Sequence, residues 1–378
     1  MAHYRTAKMD VTDFDLNTRE DLNKPRPLTI PHVLDNPPPF HKKVTDWGER
    51  PYWSPDGKRL AFIGRNYGDA YEYDLETGEI INITAHGDYH TFLRVLIAYN
   101  GDYLLVGPKE FKNRMASRLF ESEIWWMPAD RSRPPQPLGN QFIQEGLAVS
   151  AIGPKISYMQ GYLQDKSLPE FTYQIHVRDI IYGGPEGPVL GPDQIVYSGG
   201  KYRWCEPQDF RFDDTEIIFA EYQGPEHGDR SEYNSIVRGI NIVTGRVRTY
   251  IDETNRHNEP EGIFPDHMHT CLESSCDADK PYPPKDLWKL KLDGTMRRVR
   301  MTRMPDDHSW RAVNSNISPD GRTMAFMVGL QSDEAGYGRG IGLFDLEAWE
   351  RTPEAQDWET PASRLEKEPR PLPRGCAF

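Results

Sequence analysis

Apolar and polar residues alternate along most of the chain in runs of four to eight positions, the period of half-buried strands rather than helices. Two segments nearly repeat each other, Tyr52 to Phe62 and Asn316 to Phe326. Each reads as a short strand, a Ser-Pro-Asp-Gly turn and a second alternating strand. The turn has a mechanism. Proline presets φ, aspartate bonds the backbone two residues on, and glycine takes the left-handed conformation.

Four weaker copies lie between them, around Asn100-Gly101, Gly153-Pro154, Asp213-Asp214 and Pro265-Asp266, the last with His267 in the glycine place. The position of Ser54 recurs at Ala98, Ser150, Arg211, Phe264 and Ser318, at intervals of about fifty residues. Several units add a third strand that ends at Thr77-Gly78, Thr244-Gly245 or Asp293-Gly294. Four short antiparallel strands per unit make a propeller blade. The chain is therefore expected to be all-β, a six-bladed β-propeller over residues 46–348, with seven blades as the alternative. Residues 1–45 form an N-terminal extension, partly extended or disordered, that is expected to help close the ring, and 349–378 a charged C-terminal tail, loosely held between Glu350 and Pro369. The last blade lacks a fourth strand, which Arg26 to Val33 or Arg370 to Leu372 is expected to supply.

Composition agrees. Hydrophobic residues make up 37%, aromatics 11%, and 31 glycines and 32 prolines suit many turns. The net charge of −13 argues against nucleic acid or an anionic membrane and favours a cationic or polar ligand. Cys205, Cys271, Cys276 and Cys376 are too sparse for a disulfide framework. No signal peptide or membrane-length apolar run is present, so a cytoplasmic protein is expected.

The repeats resemble those of TolB-like propellers, which occur in periplasmic propellers, peptidase propeller domains and polysaccharide lyases. Ser54-Pro55-Asp56-Gly57 and Ser318-Pro319-Asp320-Gly321 carry the resemblance, over roughly residues 45–348. Asn258 to Asp266 and Asp333 to Gly338 also resemble a stand-alone subgroup. The resemblance implies fold more than function. A peptidase is rejected, because no Gly-x-Ser-x-Gly is present. Similar propellers include a metal-dependent uronate lyase, but the segment bearing its ligands does not recur here.

In a propeller the loops leading into the inner strands open at one mouth of the channel, where function concentrates. Five residues before the Ser54 position stand Glu49, Leu93, Glu145, Glu206, Glu259 and Val313. Four converging carboxylates repel by several kcal/mol at low dielectric, so cations, protons or arginines must accompany them. Glu206, Glu259, His90 and His308 are the candidate acids and bases. Glu49, Glu145, Glu261, Gln208, Asn314 and Trp204 are candidate ligand contacts. Glu145, Glu206, Glu259 and His90 are candidate ligands for calcium, magnesium, manganese or zinc. The bland alternative is that the glutamates bond neighbouring backbone or face solvent.

Three further features are weaker. His267, His269, Cys271 and Cys276 have zinc-ligand chemistry but not the paired spacing of a zinc motif. Gln331 to Gly340 has the composition of a calcium loop, or of a plain hairpin. Cys205 has no activating base beside it.

Two functions fit. The first is an enzyme, a lyase or hydrolase, acting at the channel mouth on a small polar molecule such as a glycoside, a uronate or a biosynthetic intermediate, by acid–base or metal-assisted cleavage or elimination. The second is a non-catalytic scaffold with a protein partner.

Overall fold

The computed structural model describes residues 27–360 apart from 140, 145, 224–234, 254–255, 276–284, 305–308 and 334–335. Six antiparallel sheets follow one another along the chain and close into a ring, a six-bladed β-propeller. The inner strands are Glu49–Trp53, Arg94–Ile97, Leu147–Val149, Arg203–Arg211, Asn258–Ile263 and Trp310–Ile317. The last abuts the first. Five blades have four strands. The third has five, because Tyr173–Ile181 pairs with Val189–Leu190 near one end and Gln194–Ser198 near the other.

The repeat works as a closed local hydrogen-bond unit. In blade one Ser54 Oγ donates to Asp56 at 2.6 Å, the Lys58 and Arg59 N–H groups donate to Asp56 and Ser54, and Gly57 has φ 69°. Blade six repeats this with Ser318, Asp320 and Gly321 at φ 73°. The weaker copies borrow from neighbours. Ser150 of blade three donates to Asp214 of blade four at 2.7 Å. Arg211 of blade four donates to the His267 carbonyl of blade five at 2.8 Å. His267 holds the glycine place at φ 57°.

The ring closes within residues 1–45, but not at the segment Arg26 to Val33. His41–Lys43 pairs with Ile341–Asp345 and becomes the outer strand of blade six. Residues 27–33 form no strand, and Arg370 to Leu372 lie outside the described residues. Leu34, Phe344, Trp349 and Ala355 share one core with blade five residues such as Leu287. The expected loose tail is therefore docked as far as residue 360. Glu359 pairs with Arg298, and Lys289 bonds Glu350 at 2.6 Å. Burying Leu34 and Trp349 is worth about 2 kcal/mol each, which explains why a polar segment lies down there. Among the described residues no helix is long and apolar enough to cross a membrane.

Candidate active site in the central channel

Four inner strands carry one extra residue at nearly the same place. The ladder slips between Glu49 and Tyr52, Pro207 and Asp209, Pro260 and Ile263, and Val313 and Asn316. Such bulges re-aim side chains. The backbone turns left-handed at Arg50 (φ 53°), Gly262 (φ 123°) and Asn314 (φ 48°). For arginine and asparagine this is a strained choice, of the kind that clusters at functional sites. The bulges place Arg50, Gln208, Glu261 and Asn314 around an open pocket in the channel, together with Arg94 and Asp209.

Ion pairs and hydrogen bonds tie the wall together. Arg94 of blade two lies 3.5 Å from Glu206 of blade four. Gln208 donates to Glu259 at 2.8 Å, and Asn314 to Glu261 at 3.1 Å. Buried His257 lies 3.2 Å from Glu259 and 3.3 Å from Glu273. Lys285 holds Glu273 at 2.6 Å.

These contacts split the carboxyl groups. Burial, with Glu259, Glu273 and Glu206 as neighbours, pushes Glu261 well above the usual carboxyl range despite Arg94. Burial also raises Asp209 to about 7, against N–H bonds from Ile263 and Phe210. It raises Glu49 to about 7 against Arg50 and the N–H groups of Gly338 and Asn66. Glu273 is held well below the usual range, because Lys285 and His257 outweigh its burial. Burial and Lys285 depress His257, but Glu259 and Glu273 more than reverse this and keep it cationic to higher pH. The cations Arg50, Arg94, Lys285 and His257 thus stand among the acidic groups Glu49, Glu206, Asp209, Glu259, Glu261 and Glu273.

Of the expected residues, Glu206, Glu259, Glu261, Gln208 and Asn314 come together here. Glu49 sits at the blade one wall under the Gly336-to-Gly338 turn, where a Cβ on Gly338 would fall 2.7 Å from its Cγ. His90 bonds Asp69 at 2.5 Å in a network with Asn82 and Thr84. Trp204 is half-buried against Tyr173 and Tyr222. Glu145 and His308 lie outside the described residues.

The metal set of Glu145, Glu206, Glu259 and His90 is not gathered among the described residues. The cluster with ligand-like spacing is His257, Glu259 and Glu273, within 4.8 Å of one another. Its imidazole and carboxylate donors suit a divalent ion. The Lys285 ammonium on Glu273 opposes a second cation there, so the group as it stands does not fit one.

The remaining candidates have structural partners. His269 bonds Asp266 at 2.6 Å, and buried Cys271 accepts from Ser315 at 2.7 Å. Cys276 lies outside the described residues. Asp333 is engaged by Arg339 at 2.7 Å, which uses the carboxylate that a calcium loop would need. Burial pushes the Cys205 thiol far up, so it is no nucleophile. Sequence reasoning missed His257, Glu273 and Lys285. His257 directly precedes the Asn258-Glu259-Pro260-Glu261 run, and that adjacency was the available signal.

No family model and no curated protein matches the sequence. Solved structures share the fold at low identity. TolB from Acinetobacter baumannii is 13% identical with a TM-score of 0.44, over 76% of this chain and 63% of its own. An oligogalacturonate lyase from Vibrio parahaemolyticus is 12% identical with a TM-score of 0.46, over 81% and 93%. A gluconolactonase from Xanthomonas campestris is 12% identical with a TM-score of 0.49, over 81% and 89%. The chain is thus similar in fold to TolB-like and other propellers, among them enzymes and non-enzymes.

Proposed function

We propose that the channel is an acid–base active site for a small anionic molecule of the sugar-acid class, which it cleaves by elimination. The observation that carries this reading is buried Glu261, whose carboxyl pKa burial and acidic neighbours raise, beside Glu259, which His257 and Gln208 hold in place. A carboxyl group whose pKa burial raises can serve as the acid, and a neighbouring carboxyl group as the base.

Arg94, braced by Glu206, and Arg50 receive the substrate carboxylate. Glu259 removes the proton from the carbon next to that carboxylate. The electron pair forms the carbon–carbon double bond and expels the alkoxide at the next carbon. Glu261 delivers its proton to that oxygen, so the products are an unsaturated acid and an alcohol. Asn314 fixes which Glu261 oxygen faces the substrate. A metal would serve only if Lys285 withdrew from Glu273, and no step requires one.

The test is incubation with uronate disaccharides while the ultraviolet absorbance of the conjugated product is followed. Glu261→Gln should bind substrate yet lose roughly 10²–10⁴-fold in turnover. Undiminished turnover in that variant, or none in the wild type across uronate linkages, contradicts the reading.

A further inference from the structure

The strand that closes the ring begins with a histidine, at a place where the fold offers no partner for a charge. His41–Lys43 pairs with Ile341–Asp345, and His41 stands opposite Phe344. Its ring meets two phenylalanines edge to face, Phe344 at 4.9 Å and Phe326 at 5.6 Å. Gly342 leaves room for this cage, because a Cβ there would fall 2.6 Å from the Phe326 ring and 3.2 Å from buried Leu34.

The hydrogen bonds decide which form of the ring fits. His41 Nδ1 lies 2.8 Å from the Pro39 carbonyl, which only accepts, so Nδ1 carries the proton. Nε2 is then the bare acceptor of a neutral ring. It is buried and has no hydrogen-bond partner. A second proton on Nε2 would make a cation whose new N–H faces apolar rings. Burial lowers the His41 pKa, and the carbonyls of Pro39 and Pro38 offset this only in part.

The charged groups on the surrounding elements are engaged with one another. Asp35 is held by Lys43 at 2.5 Å, and Asp46 acts on the same lysine. Lys42 is exposed. Asp345 caps the helix Leu346–Trp349 by accepting the Ala348 N–H at 2.8 Å. The strand Thr323–Leu330, which carries Phe326, has no charged residue.

The same segment has a second anchor. The Leu34 N–H donates to His32 Nδ1 at 3.1 Å, so His32 Nε2 carries the proton that goes to the Arg339 carbonyl at 2.7 Å. Arg339 is itself paired with Asp333 at 2.7 Å. Between the two histidines, Phe40 takes the left-handed conformation at φ 69°, a strained one for its bulk.

We propose that the closing strand is a pH-operated clasp, shut by the neutral His41 ring and released when that ring gains a proton. Release frees the edge of Ile341–Asp345 and uncovers Phe326 and Phe344, while the other five sheets keep all their strands. The open form binds one proton more than the closed form. Closure is therefore at full strength above pH 6.5 and weakens as pH falls below that value. The clasp is independent of the channel chemistry.

The experiment is hydrogen–deuterium exchange of the full chain between about pH 5 and 8, read as protection corrected for intrinsic exchange rates, on the wild type and His41→Phe. Protection of residues 40–46 and 341–345 should fall below pH 6.5, by at most roughly tenfold per pH unit for one proton. Protection of Lys155–Gly161 in blade three should hold over the same range. His41→Phe keeps an aromatic ring in the cage and should abolish the fall. If that variant does not fold, nuclear magnetic resonance titration of the His41 ring in the wild type tests the same point, with a midpoint expected below 6.5.

A fall that persists in His41→Phe, constant protection in the wild type, or a His41 midpoint at or above 6.5 would overturn the proposal. So would an equal loss of protection in blade three, which marks general acid unfolding.

Discussion

Arg94 of blade two passes the backbone of blade three to lie 3.5 Å from Glu206 of blade four. Both side chains are largely buried, so neither charge is well solvated alone. Gly146 lets this happen, because any side chain there would occupy the space of Glu206. Arg94→Met should cost about 1–3 kcal/mol in urea denaturation, since it removes a cation that faces a buried carboxylate. Adding Glu206→Gln should recover part of that loss. Strictly additive losses would show that the two groups are not coupled.

Glu49 gives a pH signature with a defined sign. Its carboxyl is raised from 4.5 to about 7 by burial. Folding therefore disfavours its ionised form, and the cost is absent below pH 4.5, grows between 4.5 and about 7, and is complete above that. By linkage this amounts to at most about 3 kcal/mol. Glu49→Gln should therefore gain stability over the wild type as pH rises through that window. Denaturation curves at pH 4.5 and 8 check this, and a gap that narrows with rising pH would contradict it.

Lys285 keeps the His257, Glu259 and Glu273 cluster from acting as a cation site. Removing the ammonium in Lys285→Met should raise affinity for manganese by tenfold or more, since a like charge 2.6 Å from one ligand oxygen is gone. Calorimetry on both proteins decides. Tight manganese binding by the wild type, unchanged in the variant, would restore the metal reading.

The closing strand His41–Lys43 is short, yet it arrives with buried Leu34 and Val33. A chain beginning at residue 46 should lose about 5 kcal/mol or more, from lost strand pairing and two buried aliphatic side chains. Thermal melting should show a clear fall. An unchanged melting temperature would mean that the ring does not depend on this closure.

What could be read from the sequence follows from how local each feature is. The Ser-Pro-Asp-Gly turns are legible because Ser54, Asp56 and Gly57 make all their bonds within a few residues. The six-fold count follows from those anchors. The closing strand was not legible, because His41 pairs with Phe344 across the whole chain and its three residues carry no alternating pattern. The bulges were invisible, since each exists only relative to the strand opposite. They decide that Arg50, Gln208, Glu261 and Asn314 face the channel, so the register of glutamates found Glu206 and Glu259 but ranked Glu261 below them. Glu273 comes from the second strand of blade five and Lys285 from the approach to the third, where the inner-strand register does not reach. Net charge is a sum over the whole chain and does not report the local balance of buried groups around the channel.

The central claim is that Glu261 is the protonated acid of the channel. The most direct measurement is the carboxyl band of Glu261 in the infrared difference spectrum between wild type and Glu261→Gln at pH 7. A protonated-carboxyl stretch present in the wild type and missing in the variant is the predicted result. An ionised carboxylate band in its place would contradict the account.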